Sequence, residues 1–234
     1  MSLLTLAIDV GASGIKAIIL QDDGTPTSAR SHIATPHPAF PEIIISTLVD
    51  LIAKQGVHNR ISIGFPSVVE NGITRGAINL HPDWDGFPLM QVLQSKLGKP
   101  IRIANDADVQ GCGAISGQGV ELVITLGTGF GSSLFLNGKL LPNLELGQHI
   151  FCDRETYEDR LGQAALDRIG IEVWQSRLLG AIASLYKLFN YDRLYIGGGN
   201  ARLITIELPE NVTIISNDLG LIGGLALWRC SDDC

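Results

Sequence analysis

Apolar and polar residues alternate through Leu4-Thr5-Leu6-Ala7-Ile8-Asp9-Val10 until Gly11 breaks the pattern, and a second apolar run, Ile15 to Leu20, stops at Asp22-Asp23-Gly24. A period of two bounded by turn residues predicts a β-hairpin, with Arg30 to Ala34 adding a third strand. Pro36, Pro38 and Pro41 then precede a helix expected from Glu42 to Gln55, and Ile61-Ser62-Ile63-Gly64-Phe65 reads as a short buried strand closed by Pro66. A short helix near Leu89 to Leu97 leads through Pro100 into the strand Ile101 to Ala104, which ends on Asn105-Asp106 at the head of a further helix.

The pattern then restarts. Glu121 to Leu126 predicts a strand ending in a glycine turn, Gly131 to Leu136 its hairpin partner, and Asn137-Gly138 is a favoured tight-turn dipeptide. Trp174, Leu178, Ile182, Leu185 and Phe189 recur at helical spacing and predict an amphipathic helix from Ile171 to Phe189 with these residues as core. Leu194-Tyr195-Ile196 runs into Gly197-Gly198-Gly199-Asn200, Val212 to Ile215 reads as a short strand, and a glycine-containing helix from Leu219 to Trp228 follows. The two halves read as diverged copies of one αβ unit, divided near Ala104 into residues 1–104 and 105–234, with the last helix packing back on the first part.

With 234 residues, 45% of them hydrophobic, there is material for one large core or two small ones. No apolar run reaches the roughly 18 residues of a membrane helix, and Met1-Ser2-Leu3-Leu4-Thr5 enters the first strand without a basic leader or cleavage site. A soluble, cytoplasmic protein with no membrane partner is therefore expected. Cys112, Cys152, Cys230 and Cys234 show neither a CxxC pair nor the spacing of a zinc site, and read as thiols. A net charge of -7 argues against an extended nucleic-acid surface, whereas small anions can still bind locally.

Two glycine-rich turns and an Asn-Asp pair carry the candidate chemistry: Asp9-Val10-Gly11-Ala12-Ser13-Gly14-Ile15-Lys16, Asn105-Asp106, and Leu126-Gly127-Thr128-Gly129-Phe130-Gly131. Glycine lets backbone N–H groups converge on phosphate oxygens, and an Asp is a simple base for a hydroxyl, so the set points to phosphoryl transfer. The bland reading of Asn105-Asp106 is a helix N-cap, which both residue types make well. Neither turn has the GxxxxGK[ST] order of a Walker loop, because Lys16 lies on the returning strand. After Gly127 and Gly129 the dinucleotide pattern meets Ser132 and a hairpin strand in place of a helix. What remains is a pair of hairpin turns, one headed by an Asp and one containing a Thr, suited to a polyphosphate tail.

These residues resemble the sugar kinases of the ROK family, nearest the polyphosphate-dependent glucokinase branch. The likeness rests on Asp9 to Lys16, Gly64-Phe65-Pro66-Ser67-Val68-Val69, Asn105-Asp106-Ala107-Asp108, Thr125-Leu126-Gly127-Thr128-Gly129, Glu145-Leu146-Gly147 and Gly197-Gly198-Gly199, in the family's order. The resemblance implies an α/β, two-lobed actin/hexokinase-like (ribonuclease-H-like) fold with an interlobe active-site cleft. It implies Asp106 as catalytic base with Asn105 holding neighbouring hydroxyls, and Asp9 orienting Mg2+ through water. Gly11, Ser13, Gly14 and Lys16 would meet the donor phosphates, as would Gly127, Thr128 and Gly129 from the second lobe. Gly197, Gly198 and Gly199 would face the adenosine of ATP, and Asn79, Glu145, Gln148, His149 and Glu158 the sugar.

Where the family has Glu-x-Gly-His, this chain has Glu145-Leu146-Gly147-Gln148-His149, so Gln148 or, after a one-residue slip, His149 takes that place. The Cys-rich zinc loop of many members is missing, and no structural zinc is expected. Plain structural roles stand beside the functional ones: Lys16 as a solvent-facing strand lysine, Glu158 on a solvated helix face in the charged run from Asp153 to Arg160, and Gly197 to Gly199 as a strand-to-helix turn. The expected activity is transfer of a phosphoryl group from inorganic polyphosphate, ATP or both to the primary hydroxyl of glucose or a related hexose, by a homodimer. Two alternatives are a catalytically silent sugar-binding protein, motivated by Gln148 and by a chain short for the family, and a sugar-responsive transcription regulator. The regulator would need a DNA-binding segment ahead of the first hairpin, which here begins within a few residues of Met1.

Overall fold

The computed structural model describes residues 3–76, 80–216 and 219–229. Its contacts divide the chain into two units: residues up to Gly113 together with those from Gly220 onward, and Ala114–Leu219.

In chain order the first unit holds β1 (Thr5–Val10), β2 (Gly14–Leu20), β3 (Ser31–Ala34), α1 (Pro41–Ala53), β4 (Arg60–Phe65), the small hairpin β5 (Val68–Glu70) and β6 (Ile73–Arg75), α2 (Leu89–Leu97), β7 (Ile101–Asn105) and α3 (Asp106–Ala114). The main sheet runs β3-β2-β1-β4-β7, with β1, β2 and β3 antiparallel and β1, β4 and β7 parallel. Pro41 starts α1, where its fixed φ suits the first turn and its missing N–H costs nothing. Ile44, Ile45, Leu48, Leu51 and Ile52 of that helix are buried with Leu6, Ile8 and Val10 of β1 and Ile61, Ile63 and Phe65 of β4. Each such side chain contributes about 1.5–3 kcal/mol of apolar burial, which holds the open ends of β1, β4 and β7 in fixed register. Asp106, expected in the second part of the chain, stands in the first unit, because β7 pairs with β4 and α3 continues directly from it.

The second unit holds β8 (Val120–Leu126), β9 (Phe130–Leu136), β10 (Lys139–Leu141), β11 (Ile150–Cys152), β12 (Glu155–Thr156), α4 (Tyr157–Leu161), α5 (Gln163–Ile169), α6 (Ile171–Phe189), β13 (Arg193–Gly197) and β14 (Val212–Ile214). Its main sheet runs β10-β9-β8-β13-β14, antiparallel through the first three strands and parallel between β8, β13 and β14. The strand order and sense thus repeat those of the first unit. Trp174, Leu178, Ile182 and Leu185 of α6 bury against Leu122, Ile124, Leu194 and Ile196. The tight turn Asn137-Gly138, with φ of 50° and 78°, joins β9 to β10, while Gly127 to Gly129 joins β8 to β9. The strand Lys139–Leu141 was not expected from the pattern, since three residues are too few to show a period.

The predicted last helix is shorter than its pattern. It forms α7 (Leu219–Gly223), breaks, and resumes as a single 3-10 turn, Ala226–Trp228. A Cβ on Gly223 would lie 1.8 Å from the Val109 carbonyl oxygen, so α7 and α3 meet at a distance that only glycine permits. Leu221 and Leu225 bury against Ala7 and Leu20. The Trp228 indole donates to Ser62 Oγ at 2.7 Å, and the Arg60 and Arg102 guanidinium groups each lie 4.9 Å from its ring. These contacts tie the segment after Gly220 to the first sheet. Among the described residues, no helix is long and apolar enough to cross a membrane.

Candidate active site

In the first unit the candidate residues gather at the carboxyl ends of the parallel strands, the edge at which open α/β sheets carry their ligands. Asp9 is next to last in β1, opposite Lys16 of β2 and beside Gly64 of β4, and Gly64 in turn pairs with Ala104 of β7. A Cβ on Gly64 would sit 3.4 Å from the Asp106 Cα, so the β4 backbone runs immediately beside the head of α3. Asp9 Oδ2 and Lys16 Nζ form an ion pair of 3.4 Å with both side chains partly exposed, at 23% and 27%. Lys16 is therefore directed at the acidic end of β1 rather than simply out to solvent. The turn between β1 and β2 is closed by the Gly11 N–H donating to the Gly14 carbonyl at 2.9 Å, which leaves Ser13 exposed at its tip.

Asn105 and Asp106 divide the capping work. Asn105 is buried; its Oδ1 accepts from the Ala107 and Asp108 N–H groups at 2.9 and 3.2 Å, and its Nδ2 donates to the Ser67 carbonyl at 3.2 Å. It is an N-cap in the full sense. Asp106 is half-buried, with Oδ1 accepting from the Ala107 N–H at 2.9 Å. Asn79 lies outside the described residues.

In the second unit the Gly127-Thr128-Gly129 turn is fixed from behind. The Gln163 N–H at the start of α5 donates to the Gly127 carbonyl at 2.9 Å, and Asn200 donates its N–H to the Leu126 carbonyl at 2.9 Å and its Nδ2 to the Gly127 carbonyl at 3.4 Å. Thr128 is exposed at the tip. Gly198 has φ of 89°, and a Cβ there would lie 2.2 Å from the Leu126 carbonyl oxygen. Position 198 thus needs glycine both for its backbone angle and for its approach to Leu126 at the end of β8. Neither Gln163 nor Asn200 stood out in the sequence, because a backbone N–H or a turn amide leaves no mark on residue type.

Glu145 and Glu158 are near enough for their charges to interact, and Glu158 also reaches Phe130, the first residue of β9. Ser132 Oγ donates to the Leu144 carbonyl at 2.6 Å and accepts the Leu146 N–H at 3.2 Å, which clamps the chain on both sides of Glu145. Glu158 Oε2 accepts the Phe130 N–H at 3.0 Å, so this side chain faces β9 and not a solvated helix face. The charged run before it is a hairpin rather than a helix: Asp153 and Arg154, with φ of 51° and 68°, turn β11 into β12, and a Thr156/Asp159 capping box starts α4. Gln148 ends a 3-10 turn, Leu146–Gln148, and both it and His149 are exposed.

Glu145 is exposed as a residue, but partial desolvation of its carboxyl still pushes it above its ordinary value, and the charge of Glu158 adds to the push. Such a carboxyl contributes stability below its unfolded value of 4.5 and loses it as pH rises through the higher folded value. Glu145→Gln is therefore expected to melt at or above the wild-type temperature at pH 8, with the gap closing as pH falls toward 4.5. Thermal melts across that range read it directly, and a gap that widens in acid would contradict the placement of Glu145.

Two sheets of identical strand order, one in each unit, with glycine turns at their strand ends, define an actin/hexokinase-like (ribonuclease-H-like) α/β fold. Residues 5–147 match the model of the ROK family, and the chain belongs to that family. It is 28% identical over 233 residues to the polyphosphate glucokinase of Mycobacterium leprae (strain TN), an alignment covering 92% of this chain and 72% of that protein. Its structure is similar to that of the inorganic polyphosphate/ATP-glucomannokinase of Arthrobacter sp. strain KM, with a TM-score of 0.87, 27% identity, and 96% and 97% of the two chains covered. A ROK family glucokinase from Streptomyces griseus, solved with glucose and AMPPNP, shares the fold at a TM-score of 0.77 and 20% identity over 96% and 98% of the chains.

Proposed function

We propose that this chain is a sugar kinase that moves a phosphoryl group from inorganic polyphosphate or ATP to the primary hydroxyl of glucose or a related hexose, with Asp106 as general base. The observation that carries the reading is the position of Asp106: it heads α3 at the end of β7, in the same unit as the Asp9–Lys16 turn, with β4 and its Gly64 between the two. A carboxylate on a rigid strand end, near a turn suited to anions, would take a hydroxyl proton as the oxygen attacks phosphorus. The loss of that proton makes the sugar oxygen a competent nucleophile at the moment the donor's bridging oxygen departs.

Support for a phosphate role of the first turn comes from its own geometry. Ala12 and Ser13 carry N–H groups with no backbone partner among the described residues, and Lys16, ion-paired to Asp9, brings a positive charge to the strands that flank the turn. Asp9 would orient Mg2+ through water, in keeping with an ion that retains several of its waters when bound. When bound, that ion would neutralise charge on the donor phosphates. In the second unit, Thr128 and its flanking glycines form a turn suited to phosphate, and Glu145, Glu158 and Gln148 would accept or donate hydrogen bonds to sugar hydroxyls. A hydroxyl missing from the substrate would leave a carboxylate unsatisfied, which makes such a site selective.

Support for the choice of donors and acceptor comes from the relatives, whose names specify polyphosphate, ATP and glucose. Glucose offered with ATP and with polyphosphate in parallel, read by coupled reduction of NADP through glucose 6-phosphate dehydrogenase, is expected to give turnover with at least one donor. Calorimetric glucose binding with no turnover on either would replace this reading by that of a silent sugar-binding protein.

A further inference from the structure

The residue that shapes the first glycine turn is not in the turn. Thr35 follows β3 and is 4% exposed. Its Oγ1 donates to the Gly11 carbonyl at 2.6 Å, and its N–H donates to the Ser13 carbonyl at 3.3 Å. One residue therefore holds two carbonyl groups of the turn from the same side, on either flank of Ala12. Because a trans peptide points its N–H opposite to its C=O, fixing the Gly11 carbonyl toward Thr35 turns the Ala12 N–H away from Thr35, toward the open side of the turn. The β2–β3 pairing, which brings Gly14 opposite Ala34, sets Thr35 at this point, and Pro36 behind it keeps its backbone extended.

We propose that Thr35 is a positioning residue for the phosphoryl donor: its buried hydroxyl fixes the Gly11–Ala12 peptide so that the Ala12 N–H is aimed at a donor phosphate. This rests on the reading of the first turn as a phosphate site. Without the hydroxyl the peptide can rotate, and the N–H is no longer held in place before the ligand arrives. The sugar is untouched by this change, so the effect separates donor from acceptor.

The test uses Thr35→Val, which keeps the β-branch and shape but removes the O–H, alongside Thr35→Ser, which keeps the O–H, and Thr35→Ala as a second deletion should the valine variant fail to fold. Donor and glucose KM are measured separately, and tripolyphosphate binding is measured by calorimetry without sugar. Thr35→Val is expected to raise the donor KM and the tripolyphosphate Kd about tenfold, with the glucose KM unchanged and Thr35→Ser close to wild type. Wild-type tripolyphosphate affinity in Thr35→Val or Thr35→Ala overturns the proposal, as does an equal rise in the donor and glucose KM. Absence of tripolyphosphate binding by the wild type overturns it too. If tripolyphosphate binds with the expected Thr35 dependence but no donor supports transfer, the positioning role stands and the kinase reading falls.

Discussion

Asp106→Asn is expected to lower kcat for sugar phosphorylation by about 10²–10⁴-fold while the glucose KM stays within a few-fold of wild type. An amide cannot take up the hydroxyl proton, so the attacking oxygen must lose it unaided. The substitution keeps a side-chain oxygen of the same reach, and that oxygen can still accept the Ala107 N–H now held by Asp106 Oδ1 at 2.9 Å. Asn105 continues to cap α3 through the Ala107 and Asp108 N–H groups, so the helix start does not depend on Asp106. The melting temperature should accordingly move little. Steady-state kinetics with saturating donor, paired with a melt of the same preparation, separates loss of a base from loss of structure. An unchanged kcat would remove Asp106 from the chemistry.

The largest effect on stability is expected at Glu121, which is 0% exposed. Its Oε1 accepts from the Ser116 N–H and Oγ and from the Tyr195 hydroxyl, at 2.7, 2.9 and 2.9 Å, and its Oε2 accepts from the Gly117 and Gln118 N–H groups at 2.8 and 3.1 Å. The carboxylate gathers the loop before β8 and ties it to β13. Burial pushes this carboxyl upward, yet the bonds from Ser116, Tyr195 and Gly117 outweigh it and hold it below its ordinary value.

Glu121→Ala leaves the Ser116, Gly117 and Gln118 N–H groups and the buried Tyr195 hydroxyl without their common acceptor, and is expected to destabilise the fold by about 2–3 kcal/mol, read from urea unfolding. Glu121→Gln does not repair the site, because its NH2 would face N–H donors. The sign of the pH effect follows from the depressed value: the Glu121 contribution is present above the ordinary 4.5 and lost as pH falls through the lower folded value. A Glu121→Ala variant as stable as wild type near neutral pH would show that the loop is held by other contacts.

Much of the fold was readable because its elements are regular and their periods clear. The alternation around Ile8 and Ile15 marked the first hairpin, and the spacing from Trp174 to Leu185 marked α6 at its observed bounds, Ile171–Phe189. What escaped was decided by contacts remote in sequence. The last helix packs its final residue, Gly223, directly against α3, and nothing around Gly223 announces Val109. Thr35 lies 24 residues from Gly11, and an ordinary threonine before a proline gives no sign of bonding to a distant turn. Glu121 was legible in principle, since one carboxylate inside Val120-Glu121-Leu122-Val123-Ile124-Thr125-Leu126 signals a buried acceptor with donors to find. At the candidate site, residue type named Asn105 and Asp106 together, and only the hydrogen bonds distinguish the buried cap from the half-buried carboxylate beside it.

The most direct test of the account is 31P NMR of the purified protein with donor and Mg2+, run once with glucose and once with 6-deoxyglucose, which lacks the primary hydroxyl. The account predicts a phosphomonoester resonance on the primary carbon of glucose and no sugar phosphate from 6-deoxyglucose. Phosphorylation of the deoxy sugar at a comparable rate, or no sugar phosphate from glucose with either polyphosphate or ATP, would contradict it.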